Sequence, residues 1–238
     1  MTTQLFESNT RGKADFGWLK ANFSFSFGNY FNPERLQFGM LRVLNDDIIK
    51  GGMGFGTHGH ANMEIITIPL EGGLKHRDSM GNIGVIGFGE VQVMSAGTGV
   101  EHSEMNASHI DEAKTLQLWV FPDKEEVTPR YDQKSFDIEN QINTFVNIVS
   151  PNDMNDGNAL WVYQKTFFYL GIFDSNTRST YQVRIPNNGV YLFLIEGEIE
   201  VNNHVLKARD AMGITDFEAF EIKIITKSKI LLVEVPMN

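Results

Sequence analysis

Short stretches rich in β-branched and aromatic residues recur along the chain and are separated by Gly, Asn, Asp and Pro. This pattern predicts strands, because such side chains fit a pleated sheet and the intervening residues favour turns. The predicted strands are Gly39–Leu44, Met63–Leu70, Ile83–Val93, Thr115–Phe121, Phe167–Phe173, Thr180–Ile185, Val190–Val201 and Lys229–Val235. A short helix is predicted only near Ser135–Asn140. Many short strands with regular turns indicate an all-β sandwich or barrel.

Part of this pattern occurs twice along the chain. Residues 68–72 and 88–91 resemble residues 194–197 and 208–211, at an offset of about 120–125 positions. The repeat predicts two similar β-barrel domains. Asn, Asp, Gly and Pro accumulate over residues 136–158. We therefore expect a first barrel over residues 1–135, a linker region over 136–158 and a second barrel over 159–238.

The composition is typical of a globular protein and excludes several kinds of site. The chain has 238 residues, of which 42% are hydrophobic, so it is long enough to bury a real core. It contains no cysteine, which excludes disulfides, thiolate zinc sites and cysteine nucleophiles. Any metal ion must therefore be bound by His, Asp or Glu side chains.

Charge and hydropathy limit the expected partners. The net charge of −10 argues against direct binding of nucleic acid, because phosphate contacts require a basic surface. No stretch approaches the roughly 18 apolar residues of a membrane-spanning helix. Met1–Lys13 lacks the apolar centre of a signal peptide. We expect a cytoplasmic protein with neither a nucleic-acid nor a membrane partner.

Four side chains that can bind metal ions occur as two closely spaced pairs. The first pair is His58 and His60, and the second is His102 and Glu104. Residues two apart in a strand point to the same face and lie roughly 6.5–7 Å apart. Two neighbouring strands with these pairs can therefore enclose one ion. The other histidines occur singly and are interpreted as ordinary core or turn residues; they are His76, His109 and His204.

The residues around the two pairs match the two motifs of the cupin barrel. The first motif contains Gly52, His58, His60, Glu64 and Gly72, and the second contains Gly89, Gly97, Gly99, His102 and Asn106. Together with the repeat, they predict a bicupin, which is two jelly-roll barrels in one chain.

A longer set of segments resembles the pirin family, in particular its bacterial quercetinase-like members. The segments are Gly17-Trp18-Leu19, Phe25-Ser26-Phe27, Phe38-Gly39, residues 41–47, Met63-Glu64-Ile65, residues 78–82, residues 94–99 and His102-Ser103-Glu104. The resemblance is dense over residues 10–135 and looser beyond them. The chain departs from the family at Gly59, Ala61 and Phe23, where pirins usually have proline, a basic residue and often histidine.

The resemblance implies a ligand set and a metal. Pirins use the glutamate of the second motif, so the expected ligands are His58, His60, His102 and Glu104, with Glu64 orienting an imidazole. One divalent ion per chain is expected. Iron is the first expectation, with Mn, Co, Ni, Cu or Zn as alternatives.

A second metal in the other barrel is not expected. In the repeat, the ligand positions fall near aliphatic residues, namely Val183, Ile185, Ile222 and Ile224. Aliphatic side chains cannot hold a desolvated cation, so the second barrel is interpreted as degenerate.

The resemblance also implies a function. It is that of a mononuclear metal-dependent dioxygenase of the quercetinase type, which opens a flavonol ring with O2 and releases CO, with Glu104 as the catalytic base. The partners are then a small aromatic substrate and O2, and the expected cavity walls are Phe38, Met53, Phe55, Trp119 and Phe121. The alternative is a non-enzymatic, redox-responsive regulator that binds a protein partner. A third interpretation is a structural metal site whose open positions hold only water.

Overall fold

The computed structural model of the protein describes residues 1–238. It contains twenty-two strands and two short 3-10 turns, at Ser8–Thr10 and Asn152–Met154. No helix is long and apolar enough to span a membrane. The all-β prediction is confirmed, but the helix predicted near Ser135–Asn140 is wrong, because the chain there leaves a strand and makes a turn.

The strands of the N-terminal half and the connection have the following bounds: β1 Thr2–Phe6, β2 Gly12–Asp15, β3 Leu19–Phe23, β4 Leu41–Ile49, β5 Gly54–His60, β6 Glu64–Glu71, β7 Gly73–Asp78, β8 Ile83–Gly87, β9 Glu90–Ser95, β10 Val100–Asn106, β11 Ala113–Val120 and β12 Arg130–Ser135. Those of the remainder are β13 Thr144–Pro151, β14 Leu160–Val162, β15 Phe167–Phe173, β16 Arg178–Gln182, β17 Gly189–Glu196, β18 Glu198–Val201, β19 His204–Lys207, β20 Ala211–Thr215, β21 Ala219–Ile224 and β22 Ser228–Val235.

The strands form two barrels of the same design, each with a seven-stranded and a four-stranded sheet. In the first barrel the orders are β12-β9-β6-β11-β4-β3-β2 and β5-β10-β7-β8. In the second barrel they are β1-β20-β17-β22-β15-β13-β14 and β16-β21-β18-β19. The predicted bicupin is thus confirmed, since strands β4 to β11 of the first barrel are arranged in the same order as strands β15 to β22 of the second.

The two barrels pack through their seven-stranded sheets. The largest apolar cluster joins residues of both sheets, including Leu44, Ile66 and Leu118 from the first and Tyr191 and Val233 from the second. Because side chains alternate along a strand, the residues that precede and follow Leu44, Ile66 and Leu118 in the sequence point into the first barrel instead. This alternation decides which polar residues reach the interior of that barrel.

Two segments pair with strands outside the regions in which they were expected, which were a first barrel over 1–135, a linker over 136–158 and a second barrel over 159–238. These domain limits stay a prediction. Strand β1 pairs with β20 of the second barrel, and the ring of Phe6 packs 5.5 Å from that of Tyr191. Strand β13 lies within the expected linker but pairs with β15, and its Ile148 and Val149 are fully buried. Apolar burial outweighs the turn-favouring residues nearby.

Several predicted strands have different limits in the structure, and one of them, Val190–Val201, is divided into β17 and β18 at Gly197. The segment Ile83–Val93 is divided into β8 and β9 by a turn at Gly89, which has a φ of +82°. The segment Thr180–Ile185 ends at Gln182. The residues that follow are held by buried Glu234, which accepts hydrogen bonds from Tyr181 Oη and from the backbone nitrogens of Arg184 and Ile185.

Replacing Glu234 with alanine is expected to lower the free energy of unfolding by about 3 kcal/mol or more. Each buried donor left without an acceptor costs roughly 1–3 kcal/mol, and Asn188 Nδ2 is a fourth donor to this carboxylate. Denaturant unfolding measures the change. The matched control is Glu221→Ala, which removes a solvent-exposed ion pair with Arg178 and should cost less than about 1 kcal/mol. Equal losses in the two variants would contradict the prediction.

Candidate metal centre

The two predicted ligand pairs lie on neighbouring strands. Strands β5 and β10 pair antiparallel, with His102 opposite His58 and Glu104 opposite Phe55. The register shifts by one residue between these pairs, so Gly56 and Thr57 form a bulge in β5. The strands approach so closely that a Cβ at Gly54 would overlap the backbone oxygen of Glu104. The bulge turns the first histidine pair toward the second.

The three histidines of the two pairs come together. His58, His60 and His102 each offer a nitrogen within 4.8 Å of the other two. The Nε2 atoms of His60 and His102 are 3.1 Å apart. His58 Nδ1 lies 2.8 Å from the carbonyl oxygen of Gly56, which can only accept, so this nitrogen carries the proton. The Nε2 lone pair of His58 is therefore free for a metal ion.

Burial keeps the imidazoles of His60 and His102 neutral. It lowers the pKa of His60 to about 4, with a further contribution from His58. Burial also lowers the pKa of His102 to about 3, followed by the effects of His58 and His60. Neutral imidazoles have a lone pair to donate, and two such nitrogens facing each other are satisfied by a cation between them. The donor set therefore fits a divalent metal ion.

Glu104 lies beside this group. A carboxylate oxygen of Glu104 and ring nitrogens of His102 and His76 lie within 4.8 Å of one another and form a second group of possible ligands. No group within that distance contains Glu104 together with all three motif histidines. Thr67 Oγ1 donates to Glu104 Oε1 at 3.1 Å, and Gln117 Nε2 donates to Oε2 at 2.5 Å. Burial raises the pKa of Glu104, against the opposing effect of His76 and these hydrogen bonds. The carboxyl group is thus fixed next to the histidines.

His76 was interpreted from the sequence as an ordinary core histidine, but it belongs to the surroundings of the centre. It is buried, and its ring centroid is 5.4 Å from that of His102. Its Nε2 lies 3.1 Å from Asp78 Oδ2. Burial opposes ionisation of Asp78, but hydrogen bonds from Asn82 and His76 together lower its pKa. The spacing of His76 and Asp78, two residues apart on β7, is the signal that could have identified the pair.

Glu64 does not have the predicted role. Its carboxylate accepts a hydrogen bond from Ser95 Oγ at 2.7 Å and bonds to no histidine. Burial raises its pKa to about 7, although the bond from Ser95 acts in the opposite direction. Glu64 is three residues from Thr67, which contacts Glu104, so strand alternation turns Glu64 toward the other barrel. The expectation that it orients an imidazole is wrong.

A cavity of about 680 Å³ reaches the centre, and His58 and Glu104 are part of its wall. Aromatic side chains form much of the remainder, namely Phe16, Phe23, Phe27, Tyr30, Phe55 and Trp119. Of the predicted wall residues, Phe55 and Trp119 line the cavity, whereas Phe38, Met53 and Phe121 do not. Phe38 instead packs against Tyr191 between the barrels. The volume suits a ligand of two or three rings.

The cavity also has a polar side. Asn45, Asp47 and Gln117 line it together with Glu104. Burial raises the pKa of Asp47 to about 8, with smaller contributions from Asp46 and Glu104. At neutral pH this carboxyl group is therefore mostly uncharged, which is compatible with a neutral aromatic ligand.

The second barrel has no equivalent centre. The strands in the places of β5 and β10 are β16 and β21, and their buried side chains are Tyr181, Phe220, Ile222 and Ile224. The proposed equivalence of Val183 and Ile185 with the histidines is wrong in register, since β16 ends at Gln182. The conclusion that metal ligands are missing is unaffected.

Elemental analysis is expected to find one tightly held metal ion per chain. The second barrel offers only aromatic and aliphatic side chains at the corresponding positions, and these cannot replace the hydration of a divalent ion. Inductively coupled plasma mass spectrometry of protein purified without a metal column gives the ratio. Two tightly held ions, one of them retained after loss of His58 and His60, would contradict this prediction.

Known proteins resemble this chain along its whole length. The family model described as Pirin matches residues 6–120, and that described as Quercetinase C-terminal cupin domain matches residues 147–235. Quercetin 2,3-dioxygenase of Escherichia coli K12 is 38% identical over 232 residues, which is 98% of each chain. A pirin-like protein of Caulobacter vibrioides is 35% identical and covers 94% of this chain and 95% of its own. The crystal structure of the bacterial pirin YhhW of E. coli in complex with nickel(II) superposes with a TM-score of 0.92, 37% identity and 99% coverage of both chains.

Proposed function

The chain belongs to the pirin family, and on this basis we propose that it is a mononuclear metal-dependent dioxygenase of the quercetinase type. Its substrate is then a flavonol, which it opens with O2 to release CO. The observation that carries the proposal is the aromatic cavity of about 680 Å³ whose wall includes both His58 and Glu104. A structural metal site needs no such access, so the cavity also argues against the interpretation that open positions hold only water.

We propose that His58, His60, His102 and Glu104 hold the metal ion. Three imidazole nitrogens that lie within 4.8 Å of one another and an adjacent carboxyl group support this assignment. The chemistry that a bound divalent ion supplies is Lewis acidity toward a substrate hydroxyl and electron transfer between the substrate and O2. Iron remains our proposal for the native metal. The donor set of nitrogen and oxygen also accommodates Mn, Co, Ni, Cu and Zn.

The side chains of the cavity supply the remaining functions. The aromatic wall takes up the flat ring system and excludes water from it. Glu104 accepts the proton of the flavonol hydroxyl as the substrate docks, and Thr67 and Gln117 hold its carboxylate in place. In the overall reaction, two carbon–carbon bonds of the heterocycle break and the carbon between them leaves as CO. The two atoms of O2 are bonded to the flanking carbons in the ring-opened ester, so atoms and electrons balance.

Oxygen uptake with quercetin tests the proposal. Separate samples of the protein are loaded with Fe, Mn, Co, Ni, Cu or Zn, and consumption of O2, loss of flavonol and release of CO are measured together. We expect equal molar amounts of all three with at least one metal. Absence of turnover with every metal would overturn the dioxygenase proposal.

A second candidate function is regulation through a protein partner. It is favoured by an apolar patch on β8, an edge strand of the four-stranded sheet that carries the histidines. Ile83 is 72% exposed and Val85 49% exposed. Partner binding that changes with the oxidation state of the metal and is lost in Ile83→Lys would support this function. Flavonol turnover together with redox-independent binding would exclude it as the role of the centre.

A further inference from the structure

The polar side of the cavity contains two groups whose hydrogen-bonding capacity the protein does not use. Asn45 and Asp47 both line the cavity, and each residue is only 3% exposed. Asn45 Oδ1 and Asp47 Oδ1 have no hydrogen-bond partner within the protein. Buried acceptors without a donor destabilise a fold, so a pair of them in a cavity wall needs an explanation. A ligand with donor groups provides one.

Strand geometry explains why this pair faces the cavity. Asn45 and Asp47 are two residues apart on β4 and therefore point to the same face, into the first barrel. Asp46 between them points the other way, and its Oδ2 lies 3.1 Å from Arg11 Nη1. The contrast is informative, because on one strand the outward carboxylate is paired and the inward one is not.

The pair is close to the candidate metal centre. Asn45 is the register partner of Gln117 on β11, and Gln117 Nε2 donates to Glu104 Oε2. Neighbouring strands lie about 4.8 Å apart, so Asn45 is about one strand spacing from the residue that fixes Glu104. Asp47 is two residues further along β4, opposite Thr115, and its carboxyl group is influenced by the charge of Glu104. A substrate that docks at Glu104 with one oxygen therefore extends its other ring substituents past Asn45 and Asp47.

The surroundings of the pair make these hydrogen bonds selective. On the other side of β4, Asn45 is paired with Phe23 and Asp47 with Ala21, and both of these residues line the same cavity. In an apolar site, a polar group left unpaired is costly, so a ligand that lacks the matching donor is rejected strongly. The phenolic hydroxyl is the donor that an aromatic cavity admits most readily.

We propose that Asn45 and Asp47 accept hydrogen bonds from ring hydroxyls of the substrate and so select polyhydroxylated flavonols over flavonols that have only the chelating hydroxyl and ketone. The inference rests on the proposed function for the substrate class. It assigns specificity to two residues outside the ligand set.

Calorimetric titration of metal-loaded protein without O2 tests the inference, because binding is then measured without turnover. Two probes are compared, quercetin and an unsubstituted flavonol with only the chelating groups. The native protein is expected to bind quercetin about 100-fold more tightly, as two hydrogen bonds of ordinary strength imply. Asn45→Leu and Asp47→Leu should each reduce that ratio about tenfold by weakening quercetin alone. Asp47→Asn retains an acceptor oxygen and should keep most of the ratio.

The matched control is Asp46→Leu, which makes the same change as Asp47→Leu on the same strand but on the opposite face. Its ratio of affinities should equal that of the native protein. An unchanged ratio in Asn45→Leu and Asp47→Leu would overturn the inference. Equal weakening of both probes would also overturn it, because that result indicates general damage to the cavity and not loss of hydroxyl recognition.

Oxygen uptake on the same preparations separates this inference from the proposed function. A ratio that falls in the two leucine variants supports the inference even if no flavonol is consumed, and in that case only the dioxygenase proposal fails. Turnover of quercetin by a protein with equal affinity for the two probes overturns the inference and leaves the dioxygenase proposal intact.

Discussion

Replacing His60 with alanine is expected to lower the affinity for the metal ion by at least about 100-fold, so that purified protein contains almost none. His60 supplies one of three nitrogens that lie within 4.8 Å of one another, and its Nε2 is 3.1 Å from that of His102. In the proposed ligand set, two imidazoles and a carboxylate then remain, and one coordination position passes to water. Metal content by mass spectrometry and affinity by competition with a chelator measure the effect.

The matched control for this variant is His204→Ala. His204 is an exposed histidine in the hairpin between β18 and β19, where its Nδ1 contacts the carbonyl oxygen of Asn202. Its loss removes the same side chain without touching the centre, so metal content should equal that of the native protein. Circular dichroism verifies that both variants are folded. Full metal occupancy in His60→Ala would show that the histidine cluster is not the binding site.

Replacing Glu104 with glutamine is expected to lower the turnover of quercetin by about 100- to 10,000-fold, even when the metal content is restored. The amide has nearly the shape of the carboxylate and still offers an oxygen, but it cannot accept the flavonol proton. The kcat should therefore fall more than the affinity for substrate changes. Steady-state oxygen uptake at saturating quercetin, normalised to bound metal, gives the comparison.

Glu64→Gln is the matched control, because Glu64 is a second buried glutamate of the first barrel but lies on the seven-stranded sheet and faces the other barrel. Its carboxylate contacts Ser95 and no histidine, so the substitution should leave kcat within about twofold of the native value. Equal turnover by metal-replete Glu104→Gln would remove the base from the proposed mechanism. A large loss of kcat in Glu64→Gln would show that the carboxyl group of Glu64 influences turnover through the contact between the barrels.

Much of the fold is encoded in local sequence. Alternating apolar residues, turn-forming Gly and Asn, and the repeat of about 120–125 residues are properties of short segments, and each predicts strands and two barrels without tertiary information. The pairs His58-Gly59-His60 and His102-Ser103-Glu104 likewise carry their geometry in their spacing, since residues two apart share a face. Local periodicity therefore predicted that the members of each pair share a face, whereas the pairing of β5 with β10 brings the three histidines together.

Local sequence does not predict which strands pair with one another. Strand β1 joins the second barrel because Phe6 packs on Tyr191, 185 positions away along the chain (191 − 6). Strand β13 lies in a segment whose composition favours a linker, yet its Ile148 and Val149 belong to the apolar cluster that joins the two barrels. The composition of a segment indicates which local conformations it can adopt, whereas its strand partner depends on which apolar surface is available elsewhere in the chain.

The sequence by itself determined the strand content, the double barrel and the spacing of the candidate ligands, because these depend on backbone periodicity and on residue type. Only the tertiary structure decided which face of each strand meets the centre. It turned Glu64 away, brought His76 against His102, and left Asn45 and Asp47 unpaired in the cavity. Successive side chains along a strand point to opposite faces, but burial against other strands determines which face becomes the interior.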